Sequence, residues 1–436
     1  MFFTTLAVQL AKRSEALQQY ICDAIEKNGD IATQSLADQW RQLILSPLSK
    51  LRRDSNLSSY ILVIDALDEC DNSKDIQLIL QLFTEARSLK TVQLRVLLTS
   101  RPDIPIRHSF HQISEAEYQD FVLHNISPSI VDHDIFVFLE HNLRLIGQNW
   151  SMDTGWPGEE IVWALVKYAS GLFIWAATAC RFIQDGKQFA TKRLATILEN
   201  SHSTITVPEK HLDEMYTTVL NNSISLDYSD EERKELFSLL RDVLGSIVIL
   251  LSPLSIRSLS KLISKQNVEQ TLEDLHAIIS IPKDRGHPLR LHHPSFRDFL
   301  LDESRCSDAD LWVDEKQIHQ QLAYSCIELM STFLTEDICD VHLYGILITE
   351  VELSQIERCL PQEVQYACLY WIKHLQNGSI QLQDNDKVHR FLQSHLLFWL
   401  EALSWMQKIS EGILEIISLE STAAVSRLVV YNRTLI

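Results

Sequence analysis

Residues 60–70, YILVIDALDEC, decide the fold of the N-terminal part of this chain. Residues 61–64 are apolar and mostly β-branched, and the run ends at Asp65, which predicts a short strand buried on both faces. Apolar residues then recur at steps of three and four over 74–89, which predicts an amphipathic helix. A second apolar run at 94–98 follows. Strand, helix and strand together predict a βαβ unit with parallel strands.

Chemistry-bearing side chains follow both predicted strands. Asp65-Ala66-Leu67-Asp68-Glu69 has the form of a Walker B element, in which one carboxylate holds Mg²⁺ and a later acidic residue orients the attacking water. Arg101 comes after the second strand, where a guanidinium can sense a γ-phosphate. Two ordinary alternatives stay open: an acidic strand-to-helix loop, and an arginine that pairs with a nearby carboxylate.

The composition predicts a protein that is mainly α-helical. Glycine and proline number only 11 each, and apolar residues make up 46% of the 436 residues, which excludes disorder and leaves few turns for an all-β fold. A formal charge of −19 disfavours nonspecific binding to nucleic acid or anionic membranes. Eight scattered cysteines without a CxxC pair predict free thiols and a cytoplasmic location. The most apolar windows, 171–180 and 244–251, are too short to span a bilayer.

The order of predicted elements suggests four parts. A short strand around 121–126 ends the α/β part, and 201–208 is a plausible linker. Helices followed by a candidate hairpin, formed by 278–281 and 289–292, suggest a winged helix. We therefore expect a partial α/β P-loop NTPase core at 1–126, a helical domain at 127–200, a winged-helix-like domain at 208–305 and a helical C-terminal extension at 306–436.

The two strand motifs, YILVIDALDEC and LRVLLTSRPDIPIR at 94–107, resemble the NACHT nucleotide-binding domain of fungal STAND signal-transduction NTPases. Two further stretches are similar to the segments that follow this domain: KYASGLFIWAATACRFI at 167–183 resembles its helical segment, and LRLHHPSFRDFLLD at 289–302 resembles its winged-helix signature. The resemblance covers residues 1 to about 405. It implies a signalling NTPase that binds ATP or ADP with Mg²⁺.

The resemblance also implies roles for single residues. Asp65 would be the magnesium aspartate, Asp68 and Glu69 the distal acidic pair, and Arg101 the sensor arginine. Gly171 would lie near the adenine, although Phe173 stands where relatives often carry a proline.

His293 occupies the place of a winged-helix histidine that in relatives touches the β-phosphate of bound ADP. Ser295 and Asp298 stand three apart before an apolar run, which predicts a capping box that holds His293 at a helix start.

One expected motif is absent from the sequence. No G-x-x-x-x-G-K-[ST] occurs in the 436 residues, and Met1 begins close to a segment that in relatives follows the P-loop. Two explanations are open: a truncated or degenerate NACHT protein with a regulatory or scaffold role, or a gene model that lacks the P-loop exon. In the first case we expect no effective ATP hydrolysis and no cofactor, with protein partners that include intact NACHT family members. In relatives the P-loop strand lies in the middle of the sheet, beside the strand that carries Arg101, so its loss would leave two strand edges open. We expect 121–126 to pair with 94–98, or a separate chain to fill the gap.

Two other functions are competing hypotheses. Arg257, Lys261 and Lys265 are spaced four apart, which would put three cations on one face of a DNA-recognition helix, against the negative charge of the chain. A metal site could also use nearby ligand-type side chains, although their spacing fits no zinc pattern: His287, His292, His293 and Cys306.

Overall fold

A computed structural model of the chain describes residues 2–51, 58–70, 72–90, 92–101, 118–200, 207–225, 227–342 and 348–425, with positions 106, 109, 110, 113 and 346. The chain is mainly helical, as predicted, and divides into two compact units, Met1–Asn125 and Ile126–Ile436. The four-part domain division stays a prediction. Most of the proposed linker, 201–206, lies outside the described residues.

The first unit combines helices with a parallel strand pair. Its strands are β1 (Ser58–Ile64) and β2 (Val92–Leu98), which pair in parallel with Ile64 opposite Leu98. Its helices are α1 (Phe2–Arg13), α2 (Glu15–Lys27), α3 (Leu36–Gln39), α4 (Ser46–Lys50) and α5 (Ser73–Thr84), and a π-helical segment, Trp40–Leu45, joins α3 to α4. Helix α5 connects the two strands, which confirms the predicted βαβ unit.

An aromatic cluster forms the centre of the first unit's core. Phe3 of α1 and Trp40 are fully buried, and their ring centroids lie 5.1 Å apart. Phe83 of α5 meets Trp40 edge-on at 5.4 Å. Such edge-to-face contacts are favourable beyond the area they bury. The cluster therefore ties the N-terminal helix to the crossover helix.

The prediction that the first strand is buried on both faces is wrong. Leu62 and Ile64 are buried, whereas Ile61 and Val63 are 64% and 65% exposed. On β2, Leu97 is 55% exposed. Successive side chains of a strand point to opposite faces, so a continuous apolar run shows that both faces are apolar but not that both are covered. In the described part of the chain, only one face of this sheet is packed.

The predicted strand at 121–126 is also wrong. Leu123–Asn125 is a 3₁₀ turn, closed by a hydrogen bond from the Asn125 amide to the Val122 carbonyl at 3.0 Å. Phe121 and Leu123 are 74% and 76% exposed, so the apolar run is not packed as a strand would be. Pro128 then starts a long helix, for which its fixed φ is suited. The proposed pairing of 121–126 with 94–98 is therefore wrong as well.

In its described residues, the second unit is mainly helical and contains one short hairpin. Its helices begin with α6 (Pro128–Asn149), α7 (Glu159–Ala169), α8 (Phe173–Asp185) and α9 (Ala190–Asn200). They continue with α10 (Pro208–Asn222), α11 (Asp230–Ile249), α12 (Ile256–Leu262), α13 (Val268–Leu272) and α14 (Ser295–Leu301). The last are α15 (Glu315–Phe333), α16 (Leu353–Cys359), α17 (Gln362–Asn377), α18 (Lys387–Trp405) and α19 (Ile409–Val425).

The predicted hairpin in this unit is confirmed. Strand β3 (Ile279–Ser280) pairs antiparallel with β4 (Arg290–Leu291), with Ile279 opposite Leu291. The winged-helix assignment itself stays a prediction. Local signals set several helix ends: Ser229 and Glu232 form a reciprocal capping box at the start of α11. Among the described residues, every helix is too short or too polar to cross a lipid bilayer.

Candidate functional site

Asp65 and Thr99 lie side by side at the carboxyl ends of β1 and β2. The parallel register puts Ile64 opposite Leu98, so the next residue of each strand emerges at the same edge. The Thr99 hydroxyl donates a hydrogen bond to Asp65 Oδ1 and accepts one from the Ala66 amide at 2.9 Å. The Leu67 amide donates to the Thr99 carbonyl at 3.0 Å. Thr99 therefore fixes the turn that carries the acidic residues.

The turn after Asp65 places Ala66 in a left-handed backbone conformation. Ala66 has φ of +53°, in the left-handed region that costs a side-chain-bearing residue about 1 kcal/mol. The 3₁₀ turn Leu67–Glu69 follows, and Leu67 is buried beneath it. This buried leucine anchors the loop, and Asp65 and Glu69 stay exposed.

Asp68 holds the end of β2 rather than extending outward. It accepts a hydrogen bond from the Arg101 amide at 2.9 Å and one from the Ser100 hydroxyl at 3.1 Å. Its Oδ2 also lies 3.6 Å from Nε of Arg101, and its side chain is only 10% exposed. The predicted sensor arginine is thus paired with one of the predicted acidic residues. Its role as a phosphate sensor stays a prediction.

The oxygen donors at this edge are of the type that Mg²⁺ prefers. Asp65 contributes a carboxylate and Thr99 a hydroxyl, and Glu69 follows within the same loop. Mg²⁺ in nucleotide sites is held by one or two carboxylates together with the phosphates, which need their own donors. The donor set fits a magnesium ion that arrives with phosphate groups, and the sequence has no P-loop motif to hold those groups.

Gly171 and His293 belong to the second unit. Gly171 has φ of +80° and follows Ser170 at φ of +47°, so the chain turns between α7 and α8. Their roles at a nucleotide stay predictions.

His293 is held by a hydrogen-bonded series that the sequence did not predict. Its Nδ1 lies 2.6 Å from the Ser295 hydroxyl and accepts the Ser295 amide at 3.2 Å. The Ser295 hydroxyl also lies 2.8 Å from the buried Tyr216 hydroxyl. The predicted capping box is therefore wrong: Ser295 is the first residue of α14, Pro294 precedes it as N-cap, and the serine side chain bonds His293 and Tyr216.

The cationic helix face proposed for DNA binding does not form. Helix α12 ends at Leu262, so Lys265 lies beyond it. Lys261 pairs with Glu363, and Lys265 pairs with Asp242 at 3.1 Å. The prediction that three cations share one helix face is thus wrong. The helix ends before Lys265, and both lysines pair with carboxylates.

The four residues that were candidates for a metal site form hydrogen bonds or ion pairs with other groups. His292 Nε2 lies 3.0 Å from the His276 carbonyl, His287 lies 3.0 Å from Asp284, and the Cys306 thiol contacts the Asp308 carbonyl. Within the described residues, three ligand-type side chains converge instead at Asp337, Asp340 and His342, a largely exposed group.

Several residues of these networks were missed from the sequence. Thr99 could have been found, because it follows β2 at the position that matches Asp65 in β1. Tyr216 could not, because it is 79 residues from its partner Ser295. No pattern signals such a contact.

Two comparisons with known proteins agree with the motifs. Residues 1–101 match the family model described as Nephrocystin 3, N-terminal. The chain is 25% identical over 398 residues to Vegetative incompatibility protein HET-E-1 of Podospora anserina, an alignment that covers 86% of this chain and 27% of that protein. The chain thus spans about a quarter of the length of the curated relative it matches. Its motifs and these two matches together support a relation to fungal NACHT proteins.

Proposed function

We propose that this chain is a NACHT-type signalling component that works through protein partners in a regulatory or scaffold role, and that the 436-residue polypeptide does not hydrolyse ATP. The observation that carries the proposal is the strand-end cluster, in which Asp65 is bonded to Thr99 and Asp68 to Arg101. We interpret this cluster as a Walker B element, and the sequence contains no G-x-x-x-x-G-K-[ST] motif to complete it.

The physical argument concerns the phosphates. A P-loop supplies backbone amides and a lysine that neutralise and orient the β- and γ-phosphates. Arg101 is a cation at this strand edge, and its Nε faces Asp68. Carboxylates repel a polyanion unless cations or amides compensate their charge, so Mg²⁺–nucleotide would gain little from Asp65 alone.

A protein partner is supported by the uncovered sheet face. Ile61, Val63 and Leu97 lie together on it and are each more than half exposed. Apolar side chains grouped on a surface are typical of protein contact sites. The relative's name refers to vegetative incompatibility, and we propose that this chain takes part in signalling of that kind by contacting an intact NACHT protein.

Release of phosphate from ATP by the purified chain tests the catalytic part. We expect a rate equal to the protein-free blank, with and without Mg²⁺, and the same rate for Asp65→Asn. Magnesium-dependent release that Asp65→Asn abolishes would overturn the proposal.

Size-exclusion chromatography of the chain mixed with full-length HET-E-1 tests the partner part. We expect co-elution that Val63→Lys removes, because the lysine places a charge in the apolar face. Val137→Lys is the matched control, since Val137 is also an exposed valine, at 49%, but lies on α6. Co-elution that survives Val63→Lys, or none at all, would contradict the proposed contact.

A further inference from the structure

We propose that Cys339 and Cys359 form a redox-active thiol pair, which a glutathione-type disulfide oxidises to an intramolecular disulfide. The new bond would join the segment 336–342 to the end of helix α16. This inference uses contacts within the second unit and does not depend on whether the chain binds nucleotide or contacts a NACHT protein.

The backbone around Cys339 is fixed by side chains of two helices. Its carbonyl accepts a hydrogen bond from Nε2 of Gln355, on α16, at 2.7 Å. Glu401, on α18, accepts the backbone amides of Asp337 at 3.3 Å and Ile338 at 3.1 Å. The segment that carries Cys339 is therefore tied to both helices.

The second thiol lies on the same helix as one of these anchors. Cys359 follows Gln355 by four residues on α16, so the two side chains share one face of the helix. The thiols of Cys339 and Cys359 are within hydrogen-bonding distance of each other. A disulfide forms only between cysteines whose side chains face each other at short range. Two touching thiols on an anchored backbone meet this requirement.

Burial sets the order in which the two thiols react. Cys339 is fully buried, whereas Cys359 is partly exposed. Burial raises the pKa of Cys339, and the neighbouring Cys359 raises it further, so Cys339 keeps its proton. The thiolate is the attacking form and needs access to its target. Cys359 is therefore the thiol that reacts first with an oxidant from solution.

The reaction is an ordinary thiol–disulfide exchange in two steps. The Cys359 thiolate attacks one sulfur of glutathione disulfide, forms a mixed disulfide and releases a glutathione thiolate, which takes up the proton that Cys359 lost. Cys339 then attacks the Cys359 sulfur and closes the protein disulfide. The second glutathione leaves and takes the proton of Cys339. Two protein thiols are oxidised, and one glutathione disulfide is reduced to two molecules of glutathione.

Peptide mapping of the full chain tests the pair. The chain is incubated with glutathione disulfide, blocked with N-ethylmaleimide in urea so that buried thiols also react, and cleaved after glutamate. Cleavage leaves Cys339 in 337–350 and Cys359 in 358–363. We expect these two peptides to be linked, two hydrogen masses below their sum, and to separate after treatment with reduced glutathione. Both cysteines found carrying N-ethylmaleimide instead would overturn the proposal.

Cys326 of α15 and Cys368 of α17 are the matched control pair. Both are buried, at 0% and 1% exposure, and Cys368 is near enough to raise the pKa of Cys326 beyond the effect of burial. The same digestion places them in 316–328 and 364–401. We expect no link between these peptides, because neither thiol is accessible. A link formed as readily as in the proposed pair would contradict the role of exposure.

Single variants test the order of the two steps. Cys339→Ser should trap glutathione on Cys359 as a lasting mixed disulfide, and Cys359→Ser should leave Cys339 unreacted over the same incubation. A Cys339→Ser chain without glutathione on Cys359 would refute the first step. Reaction of Cys339 in Cys359→Ser as fast as the parent forms its disulfide would refute it as well. Each readout is a peptide mass measured without nucleotide, so failure here and failure of the proposed function are separate results.

Discussion

Asp68 accepts the backbone amide of Arg101 at 2.9 Å and faces the guanidinium of the same residue. Two residues to which the NACHT resemblance gives separate roles at a nucleotide are thus paired with each other. Asp68 therefore has a local function, since it holds the end of β2 against the acidic loop.

Thr99→Val removes the hydroxyl that bonds Asp65 and Ala66. We expect a loss of about 1–2 kcal/mol in the stability of the first unit, because the Ala66 amide and the Asp65 carboxylate both lose a partner. Hydrogen exchange of the amides in residues 61–67 measures this as faster exchange. Thr99→Ser keeps the hydroxyl and should exchange like the parent, and equal exchange in the valine variant would contradict the role of Thr99.

Acid should destabilise the second unit through two buried histidines. His374 of α17 is fully buried, with Nδ1 2.7 Å from Nδ1 of His319 on α15 and Nε2 2.8 Å from the Tyr366 hydroxyl. Burial lowers the pKa of His374 to about 3, and the nearby His319 adds to this. Burial also lowers the pKa of His319. The charges of Arg297 and Lys373 lower this pKa further, and that of Glu315 raises it.

The sign follows from proton counts. In the unfolded chain His374 has its ordinary pKa of 6.5 and binds a proton below that pH. In the folded chain it stays neutral down to about pH 3, so the free energy of unfolding falls as the pH drops from 6.5 toward about 3. At pH 4.5 the loss relative to pH 7 is on the order of 2–3 kcal/mol. Urea unfolding at both pH values measures it. His374→Gln should shrink the difference, the exposed His133→Gln should not, and a parent with equal stability at both pH values would contradict the account.

Arg305→Met leaves Asp213 without its partner in the second unit. The two form a forked pair, with Nη2 of Arg305 2.6 Å from Oδ1 of Asp213 and Nε 3.2 Å from Oδ2, and the Asp213 side chain is 11% exposed. We expect the free energy of unfolding, measured with urea, to fall by about 3 kcal/mol, because the unpaired carboxylate has little access to water. The double variant with Asp213→Leu should recover most of it.

Arg285→Met is the matched control for this pair. Arg285 also lies 3.0 Å from a carboxylate, that of Glu269, but both side chains are more than half exposed. Solvent screens such pairs, so the expected change is below about 1 kcal/mol. Equal effects of the two methionine variants would show that burial of Asp213 does not matter.

Gly171→Ala tests the reversal between α7 and α8. The new Cβ would meet only Val131 at 3.8 Å, an ordinary contact, so the expected cost of about 1 kcal/mol comes from φ of +80°. Gly29→Ala is the control, because that position has open space and no positive φ. A lower melting temperature for both variants, or for neither, would contradict this explanation.

The sequence predicts the strand pair better than it predicts packing. The apolar runs before Asp65 and Thr99 are strong signals, because the register of a parallel pair follows from them. They do not show which face is covered, and Val63 is exposed although its run is wholly apolar. The run at 121–126 fails for a related reason, since apolar residues alone do not supply a partner strand.

Contacts between residues that are far apart in the sequence were also not predicted. The spacing of Ser295 and Asp298 predicts a local cap, but Tyr216 competes for the serine from 79 residues away. His319 and His374 meet across 55 residues in the same way. Local patterns predict local bonds, and a buried tertiary partner overrides them because an unpaired polar group in the core costs more than a missing cap.

Isothermal titration calorimetry of the 436-residue chain with ADP and ATP, with and without Mg²⁺, tests the central claim most directly. The claim is that the Walker B carboxylates stand here without the donors that hold phosphates. It predicts no saturable heat in any of these titrations and no difference between the parent and Asp65→Asn. Tight, magnesium-dependent binding that Asp65→Asn abolishes would contradict it.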